Sequence, residues 1–255
     1  MYNVIINNKE YQIEEGLSII EACDKLGIKI PRFCYLKGLS IPANCRMCLV
    51  EVKGGRKLVP ACHTTISNDM VIFTESNAVH TARKKVMSFL LINHPLDCPI
   101  CDEGGECELQ NQAVAYGFND SSYEFGKRAR ANKNLGPLIS TSMNRCINCT
   151  RCIRFMDEVA GLPSLGIVGR GEQSDISNYF QEPINSELSG NLVDVCPVGA
   201  LNNAQYLFRD RAWQLNSTNT IDIMDSMGSS IVVDMEGSEV VRILPLENPQ
   251  INEAW

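Results

Sequence analysis

Hydrophobic and polar positions alternate in short runs along the first 78 residues, a pattern typical of β-strands. Residues 4–6 and 11–13 are two such runs, and they flank Asn7-Asn8, a dipeptide that favours a tight hairpin turn. A second hairpin is predicted around Gly54-Gly55, between Leu49–Val52 and residues 57–60, and Val71–Phe73 follows as a short strand.

The spacing of apolar positions changes to a helical period in three places. Ser18 followed by Glu21 forms a capping box that starts a short helix, and Gly27 ends it. A longer periodic segment predicts a helix over 78–92. Because a residue before proline avoids the α region, we expect His94, before Pro95, to cap this helix and to face the next loop. A third helix is expected to begin near Glu106 and to hold Cys107 in its first turn, where the helix dipole favours a thiolate.

The remaining segments divide into a polar stretch, a cysteine-rich stretch and a β-rich tail. Residues 118–140 are expected to form a linker or surface loop. Its basic run 127–130 predicts a solvated face, with docking to an acidic partner subunit as the alternative. From about residue 215, alternation over 230–234 and 239–244 predicts a hairpin around Glu236-Gly237. The tail has no closing element, so we expect the chain to stop inside a domain.

Composition and charge narrow the classes of protein that fit the chain. The formal net charge of −7 argues against a nucleic-acid partner, which needs a basic surface. No apolar run approaches the roughly 20 residues that span a bilayer. The chain has twelve cysteines and starts without a leader peptide, so the cysteines are expected to be reduced metal ligands, not disulfide partners.

The first of three metal-ligand patterns has the spacing H-x3-C-x2-C-x5-C. Four ligands lie within a short segment, and Gly104 and Gly105 allow the backbone to fold around a compact centre. A structural zinc site with one histidine and three cysteines is the alternative to a cluster. The ligands predicted by this pattern are His94, Cys98, Cys101 and Cys107.

A second pattern, C-x10-C-x2-C-x13-C, lies within the strand-rich first segment. Three of its cysteines fall in a loop and the fourth follows a strand, as a two-iron cluster held by thiolates requires, although zinc remains an alternative. The four positions are Cys34, Cys45, Cys48 and Cys62. Cys23 lies on the apolar face of the first helix and is expected to be a buried structural thiol. His63 and His80 have no ligand pattern around them, and surface or core roles are expected for both.

The third pattern is the most specific of the three. Three cysteines in the spacing C-x2-C-x2-C can hold three corners of a four-iron cubane, and a distant Cys-Pro supplies the fourth ligand, as in bacterial ferredoxins. These positions are Cys146, Cys149, Cys152 and Cys196. Downstream, Gly169-Arg170-Gly171 does not complete a dinucleotide-binding fingerprint and is expected to be a turn.

The ligand patterns leave no open position for a substrate. The sequence has no acid–base pair at a motif, no phosphate loop and no nucleophile elbow, so we expect the chemistry to be electron storage and transfer. A neutral imidazole in place of a thiolate removes a negative charge, and His94 is therefore expected to raise the reduction potential of its cluster.

With these motifs the sequence resembles the large iron–sulfur subunit, of the 75 kDa type, of respiratory complex I, the proton-pumping NADH–quinone oxidoreductase. The resemblance runs through nearly all of the chain. It is carried by the segments 44–52, 94–107, 145–154 and 195–201, which read NCRMCLVEV, HPLDCPICDEGGEC, RCINCTRCIR and VCPVGAL.

The resemblance implies an α+β chain with a β-grasp ferredoxin-like domain, then small helical and α/β iron–sulfur domains and a truncated β-rich tail. It implies a two-iron domain over 1–78, a four-iron domain with histidine and three cysteines over 78–117, a second four-iron domain over 118–214, and the start of a molybdopterin-oxidoreductase-like domain over 215–255. The clusters implied are one [2Fe-2S] on Cys34, Cys45, Cys48 and Cys62, one [4Fe-4S] on His94, Cys98, Cys101 and Cys107, and one [4Fe-4S] on Cys146, Cys149, Cys152 and Cys196.

The family also implies partners and a location. The clusters would relay electrons from a neighbouring flavoprotein that binds FMN and NADH towards iron–sulfur subunits on the quinone side. The chain would meet the membrane only through partner subunits. The expected location is the matrix side of the mitochondrial inner membrane, with the bacterial cytoplasmic face as the alternative.

Two other classes remain open. The small diaphorase subunit of a NAD-linked hydrogenase or formate dehydrogenase shares the three motifs, but such subunits tend to stop soon after the position of Cys196-Pro197. A zinc-stabilised interaction module would use the same ligands without redox chemistry.

The tail, with residues 221–225 and 253–255, resembles the start of the large domain of the complex I subunit. The chain has no cysteine after Cys196 for a further cluster.

Overall fold

The computed structural model describes residues 1–121, 123–179 and 182–252, and the tail residues 253–255 lie outside this range. The described residues form two spatial units. The first contains residues 1–35, 40–92 and 111–126, and the second contains 36–39, 93–110 and the chain from 127 onwards. The mixture of small sheets and short helices is the predicted α+β class. The four domain ranges expected from the sequence are not tested by this division and stay a prediction.

The first unit is built on a five-stranded mixed sheet in the order β2-β1-β5-β3-β4. Its strands are β1 (Tyr2–Ile6), β2 (Lys9–Ile13), β3 (Leu49–Val52), β4 (Val59–Pro60) and β5 (Val71–Phe73). β1 runs parallel to β5, and the remaining pairs are antiparallel. Both predicted hairpins are confirmed, and Asn7 and Asn8 have the positive φ angles that a tight two-residue turn needs.

Helix α1 (Ile19–Lys25) packs against this sheet and begins as predicted. The Ser18 hydroxyl accepts from the Glu21 amide, and the Glu21 carboxylate accepts from the Ser18 amide, so the capping box is present. Ile19, Ile20 and Cys23 are fully buried in the core of the unit, which confirms Cys23 as a buried thiol. Helix α2 (Asn77–Leu91) follows the sheet in the chain.

The ends of two helices differ from the sequence predictions. Helix α2 has Ile92 as its C-cap, so His94 does not cap it and lies two residues further along. Helix α3 (Glu108–Tyr116) begins one residue after Cys107, so Cys107 does not lie in the first helical turn. Cys107 precedes the helix because the Gly104-Gly105 turn continues up to it, and amides of the first helical turn then point at its sulfur.

The second unit consists of short elements around its own core. They are β6 (Ile139–Thr141) paired with β9 (Leu201–Asn203), β7 (Leu165–Val168) paired with β8 (Asp175–Asn178), and the helices α4 (Arg151–Arg154) and α5 (Asn191–Val195). The segment Phe155–Val159 continues α4 as a π-helix. The predicted turn at Gly169 connects β7 and β8. The core includes Met143, Phe155, Leu165 and Leu192.

The tail of the second unit is an antiparallel sheet of β10 (Asn216–Ile221), β11 (Ser230–Glu236) and β12 (Glu239–Pro245). The β11–β12 hairpin is confirmed. Within the part of the chain that the structure describes, no helix has both the length and the apolar character to cross a bilayer.

The basic run in the polar segment is only partly solvated. Lys127 is exposed, as predicted. The Arg130 side chain is 6% exposed and donates to Asp175 at 2.7 Å, so the prediction of a solvated face is wrong for this residue. The Asp175 carboxylate is 45 residues away in sequence but close in space, and it provides the counter-charge that allows the Arg130 side chain to be buried.

Candidate metal centres

The four cysteines of the second pattern come together in the first unit as two contacting pairs. The Cys34 amide donates to Cys45 Sγ at 3.5 Å. The Cys34 thiol also donates to Cys45, which lowers the pKa of Cys45 to about 6 and raises that of Cys34. In the same way, a hydrogen bond from Cys62 lowers the pKa of Cys48. The charges of Cys34, Cys45 and Cys48 all act on Cys62, so the four sulfurs share one electrostatic environment.

The loop around Cys45 has an unusual backbone. Ala43 and Arg46 both adopt positive φ, at 50° and 59°, in the left-handed region that residues other than glycine rarely enter. Main-chain amides of Phe33 and Met47 hydrogen-bond Cys45 and favour its thiolate. A strained loop that aims amides at sulfur is the arrangement that tunes a cluster held by thiolates.

His94 is a partly buried, neutral imidazole in the second unit. Burial lowers its pKa to about 4, with contributions from the positive charges of Lys127 and Arg145. The ring hydrogen-bonds the main chain of Arg145, but Nδ1 is buried and has no hydrogen-bond partner among the described residues. A buried nitrogen with a free lone pair and no proton donor is chemically suited to bind a metal.

The three cysteines of the His94 pattern differ in exposure. Cys98 is exposed, whereas Cys101 and Cys107 are buried. Burial raises the pKa of Cys107 to about 11, although amides of Leu109 and Gln110 act in the opposite direction. The predicted thiolate-favouring amides are therefore present, but the effect of burial on the pKa outweighs theirs.

The Cys-Pro segment closes over this loop. Cys107 Sγ lies 3.8 Å from the Pro197 carbonyl oxygen. A Cβ atom built on Gly199 would lie 2.3 Å from Cys101 Sγ, which is far inside contact distance. Only glycine fits at this position, because the backbone and the sulfur approach each other so closely.

The four cysteines of the third pattern line one small cavity. Its other walls are mostly apolar and include Met143, Ile176, Val198 and Leu201. Burial raises the pKa of Cys149 to about 11 and raises those of the other three thiols. Four thiols facing an apolar cavity need the positive charge of bound iron to become thiolates, so their chemistry fits a metal cluster.

The C-x2-C-x2-C run has the same kind of backbone as the first loop. Asn148 and Thr150 have φ of 54° and 64°. Positive φ at a β-branched residue costs roughly 1–3 kcal/mol and is found mainly at functional sites. The Asn148 amide donates to Cys146 Sγ at 3.4 Å. These left-handed residues turn the chain between successive cysteines.

The two remaining histidines lie outside the three ligand patterns. His80 is paired with Glu75 at 2.9 Å, and His63 is exposed, as expected for residues outside the three patterns. Among the described residues, no three His, Cys, Asp or Glu side chains stand close enough together to hold a single metal ion.

The sequence patterns did not predict the buried arginines next to the cysteines. Arg145, Arg151 and Arg154 are 6%, 3% and 9% exposed. Arg154 donates to the Cys149 carbonyl at 3.4 Å. The only sequence signal was their position inside the cysteine run, because the carboxylate partners of Arg145 and Arg151 lie 48 and 43 residues away.

The fold of the chain is similar to that of a solved redox protein. A chain in the crystal structure of an NAD⁺-reducing [NiFe]-hydrogenase in the H₂-reduced state superposes with a TM-score of 0.75. The superposition covers 82% of this chain and 90% of that chain, at 24% sequence identity. The likeness shows a shared fold.

Four family models match successive parts of the chain. A 2Fe-2S iron-sulfur cluster binding domain matches 1–77, and the iron-sulfur binding region of NADH-ubiquinone oxidoreductase-G matches 83–122. The ferredoxin-like domain of NADH-quinone oxidoreductase subunit 3 matches 136–202. The NDSU1/NuoG-like 4Fe-4S domain matches 215–255, a stretch without cysteine or histidine in this chain. The chain therefore contains 2Fe-2S and 4Fe-4S binding domains.

Curated relatives match the chain along its whole length. The NADH-ubiquinone oxidoreductase 75 kDa subunit of Reclinomonas americana is 51% identical over 255 residues, and the mitochondrial 78 kDa subunit of Neurospora crassa is 52% identical over 252. The corresponding NADH-quinone oxidoreductase subunit of Rickettsia typhi is 49% identical over 255 residues. The alignments cover 98–100% of this chain and 34–38% of the relatives, so the chain spans a little over a third of their length. By these matches, the chain belongs to the family of the large 75 kDa iron–sulfur subunits of NADH–quinone oxidoreductase, complex I.

Proposed function

We propose that the chain is an electron-transfer subunit of the peripheral arm of complex I. It would relay electrons from NADH and FMN in a neighbouring flavoprotein, through three iron–sulfur clusters, towards quinone. The observation that carries this proposal is the match of the whole chain to iron–sulfur subunits of this enzyme. The proposal assigns no complete active site to the chain, so it would contribute to NADH:ubiquinone reductase activity only within the complex.

The proposal assigns each ligand set to one cluster. One [2Fe-2S] would be held within the 1–78 domain, and one [4Fe-4S] each within the 78–117 and 118–214 domains. Residues 215–255 would begin the molybdopterin-oxidoreductase-like domain. The ligands are Cys34, Cys45, Cys48 and Cys62; His94, Cys98, Cys101 and Cys107; and Cys146, Cys149, Cys152 and Cys196.

When bound, such clusters store and pass single electrons. The residues of the chain hold sulfur and imidazole ligands in place and bury six of the twelve. Main-chain amides at Met47, Leu109 and Asn148 donate to ligand sulfurs. Such donors stabilise the extra negative charge of a reduced site.

The relatives also support partners and a location. Mitochondrial and bacterial complex I subunits are among them, and complex I subunits are therefore the proposed partners. They would include the flavoprotein and the quinone-side iron–sulfur subunits. The proposed location is the matrix side of the mitochondrial inner membrane or the cytoplasmic face of a bacterial membrane, with attachment through partner subunits.

The hydrogenase-type diaphorase subunit is the second candidate, and the shared fold is the observation in its favour. The chain is 51% identical to a complex I subunit but 24% identical to the hydrogenase chain, which favours the first proposal.

Electron flow from a flavoprotein provides the test of this proposal. The anaerobically purified protein is mixed with NADH, with and without the complex I flavoprotein subunit, and the clusters are followed by EPR. Reduction that requires the flavoprotein supports the relay. Clusters that stay oxidised with the flavoprotein present, although dithionite reduces them, would contradict it. The Cys23→Ser variant is the control, and its clusters are expected to be reduced in the same way as those of the parent protein.

A further inference from the structure

Arg145 connects the two proposed four-iron sites. It lies directly before Cys146, in the third ligand pattern, but its guanidinium points to the His94 pattern. Nε donates to Asp97 at 3.2 Å, and Nη2 lies 3.5 Å from the Ile100 carbonyl. Nη1 lies 3.4 Å from the carbonyl of Gly199, the residue that contacts Cys101. One side chain thus contacts segments that carry ligands of both sets.

Arg151 makes an equivalent connection on the other side of the run. It lies directly before Cys152 and forms a bidentate pair with Glu108, the residue after Cys107, at 2.7 and 3.0 Å. Nη1 also lies 3.5 Å from the carbonyl of Val195, the residue before Cys196. The planar guanidinium suits this bidentate geometry, which lysine does not reproduce.

In each ion pair, the arginine is more deeply buried than its carboxylate partner. The Arg145 and Arg151 side chains are 7% and 4% exposed, whereas those of Asp97 and Glu108 are 35% and 42% exposed. Water screens the carboxylates more than the guanidinium groups. The two guanidinium groups therefore place positive charge in the interior beside both ligand sets.

We propose that Arg145 and Arg151 are positioning residues that raise the reduction potentials of the two four-iron sites and connect their ligand segments. The inference rests on the proposed function, since it requires clusters at both sites. A cluster gains one negative charge on reduction, and a buried positive charge beside it favours that form.

Paired substitutions of opposite sign provide the test. In the full chain, Arg145→Gln and Arg151→Gln should lower the cluster potentials, measured by anaerobic titration with EPR detection. Asp97→Asn and Glu108→Gln remove the negative partners and should raise them. We expect about a tenfold change in the ratio of reduced to oxidised cluster at a fixed ambient potential, which is about 59 mV for one electron.

Two kinds of control variant separate charge from structure. Arg145→Lys and Arg151→Lys keep the charge and should stay close to the parent potential. Arg209→Gln removes an arginine of the same unit that is more exposed and pairs with Glu239, and it should leave both potentials unchanged.

The outcomes distinguish the two proposals. If the parent protein contains no iron, the proposed function fails. If the parent contains both clusters, the inference is overturned by any of three results: no shift, shifts of the same sign in arginine and carboxylate variants, or lysine variants that shift as far as the glutamine variants. Should a glutamine variant fail to bind a cluster, the carboxylate variants still decide, because a purely structural role predicts no upward shift from them.

Discussion

Replacing His94 by cysteine tests the most unusual of the proposed ligands. The buried Nδ1 without a partner among the described residues and the neutral imidazole favour a metal bond at this position. Cysteine would supply a thiolate in its place, so the site would keep four ligands but gain one negative charge. His94→Cys is therefore expected to retain the cluster and to lower its reduction potential.

The size of the shift follows from the charge and its surroundings. Two unit charges about 4 Å apart interact by roughly 4 kcal/mol at an effective dielectric constant of about 20. Since about 1.4 kcal/mol corresponds to about 59 mV for one electron, the upper value is about 170 mV. The positive charges of Lys127 and Arg145 act on this position and offset part of the new negative charge. We expect a decrease of about 100 mV.

Anaerobic redox titration with EPR detection measures this potential directly. His80→Cys is the matched control: the same substitution is made at a histidine on helix α2 outside the ligand patterns, and it should leave every potential unchanged. If His94→Cys binds as much iron as the parent and titrates at the same potential, His94 is not a ligand, and the assignment of this site is wrong.

Four further substitutions or reactions test separate parts of the account. Gly199→Ala should displace Cys101 and reduce iron by about four per chain, as elemental analysis would show; unchanged iron would refute the close approach. Cys23→Ser should keep all iron but lose about 1–3 kcal/mol of stability in urea unfolding, because a hydroxyl replaces a fully buried thiol; loss of iron would make Cys23 a ligand. In metal-free protein, Cys45 should react with iodoacetamide with a rate that rises through about pH 6, since its thiolate forms above its lowered pKa, whereas a rise only near about pH 9 would contradict this. Arg83→Met should cost about 1–3 kcal/mol in urea unfolding, because the fully buried guanidinium donates to Glu75 and to the Leu49 carbonyl, and a cost below about 0.5 kcal/mol would refute its role.

Local chemistry made much of the fold predictable. The Ser18 capping box and the Asn7-Asn8 turn are specified by interactions within a few residues, and both occur as expected. The C-x2-C parts of the ligand patterns are local in the same sense, because loops with two residues between cysteines leave few ways to place the sulfurs, whereas Cys34, Cys62 and Cys196 lie more than ten positions from the nearest cysteine of their pattern. The start of α3 was misplaced by two residues because the turn at Gly105 extends to Cys107.

Features that depend on distant partners could not be predicted in this way. The burial of Arg130 and Arg151 depends on Asp175 and Glu108, which only the tertiary fold brings near. The contact of Gly199 with Cys101 likewise joins segments that are far apart in the chain. Sequence patterns record the period of a local element but not the counter-charge that permits a buried cation.

The content of iron, zinc and acid-labile sulfide in the anaerobically purified protein distinguishes iron–sulfur clusters from structural zinc sites. The three ligand sets predict about ten iron atoms per chain, from one two-iron and two four-iron clusters, with matching sulfide and almost no zinc. About three zinc atoms per chain without sulfide would make the sites structural and would contradict the assignment of the chain to electron transfer.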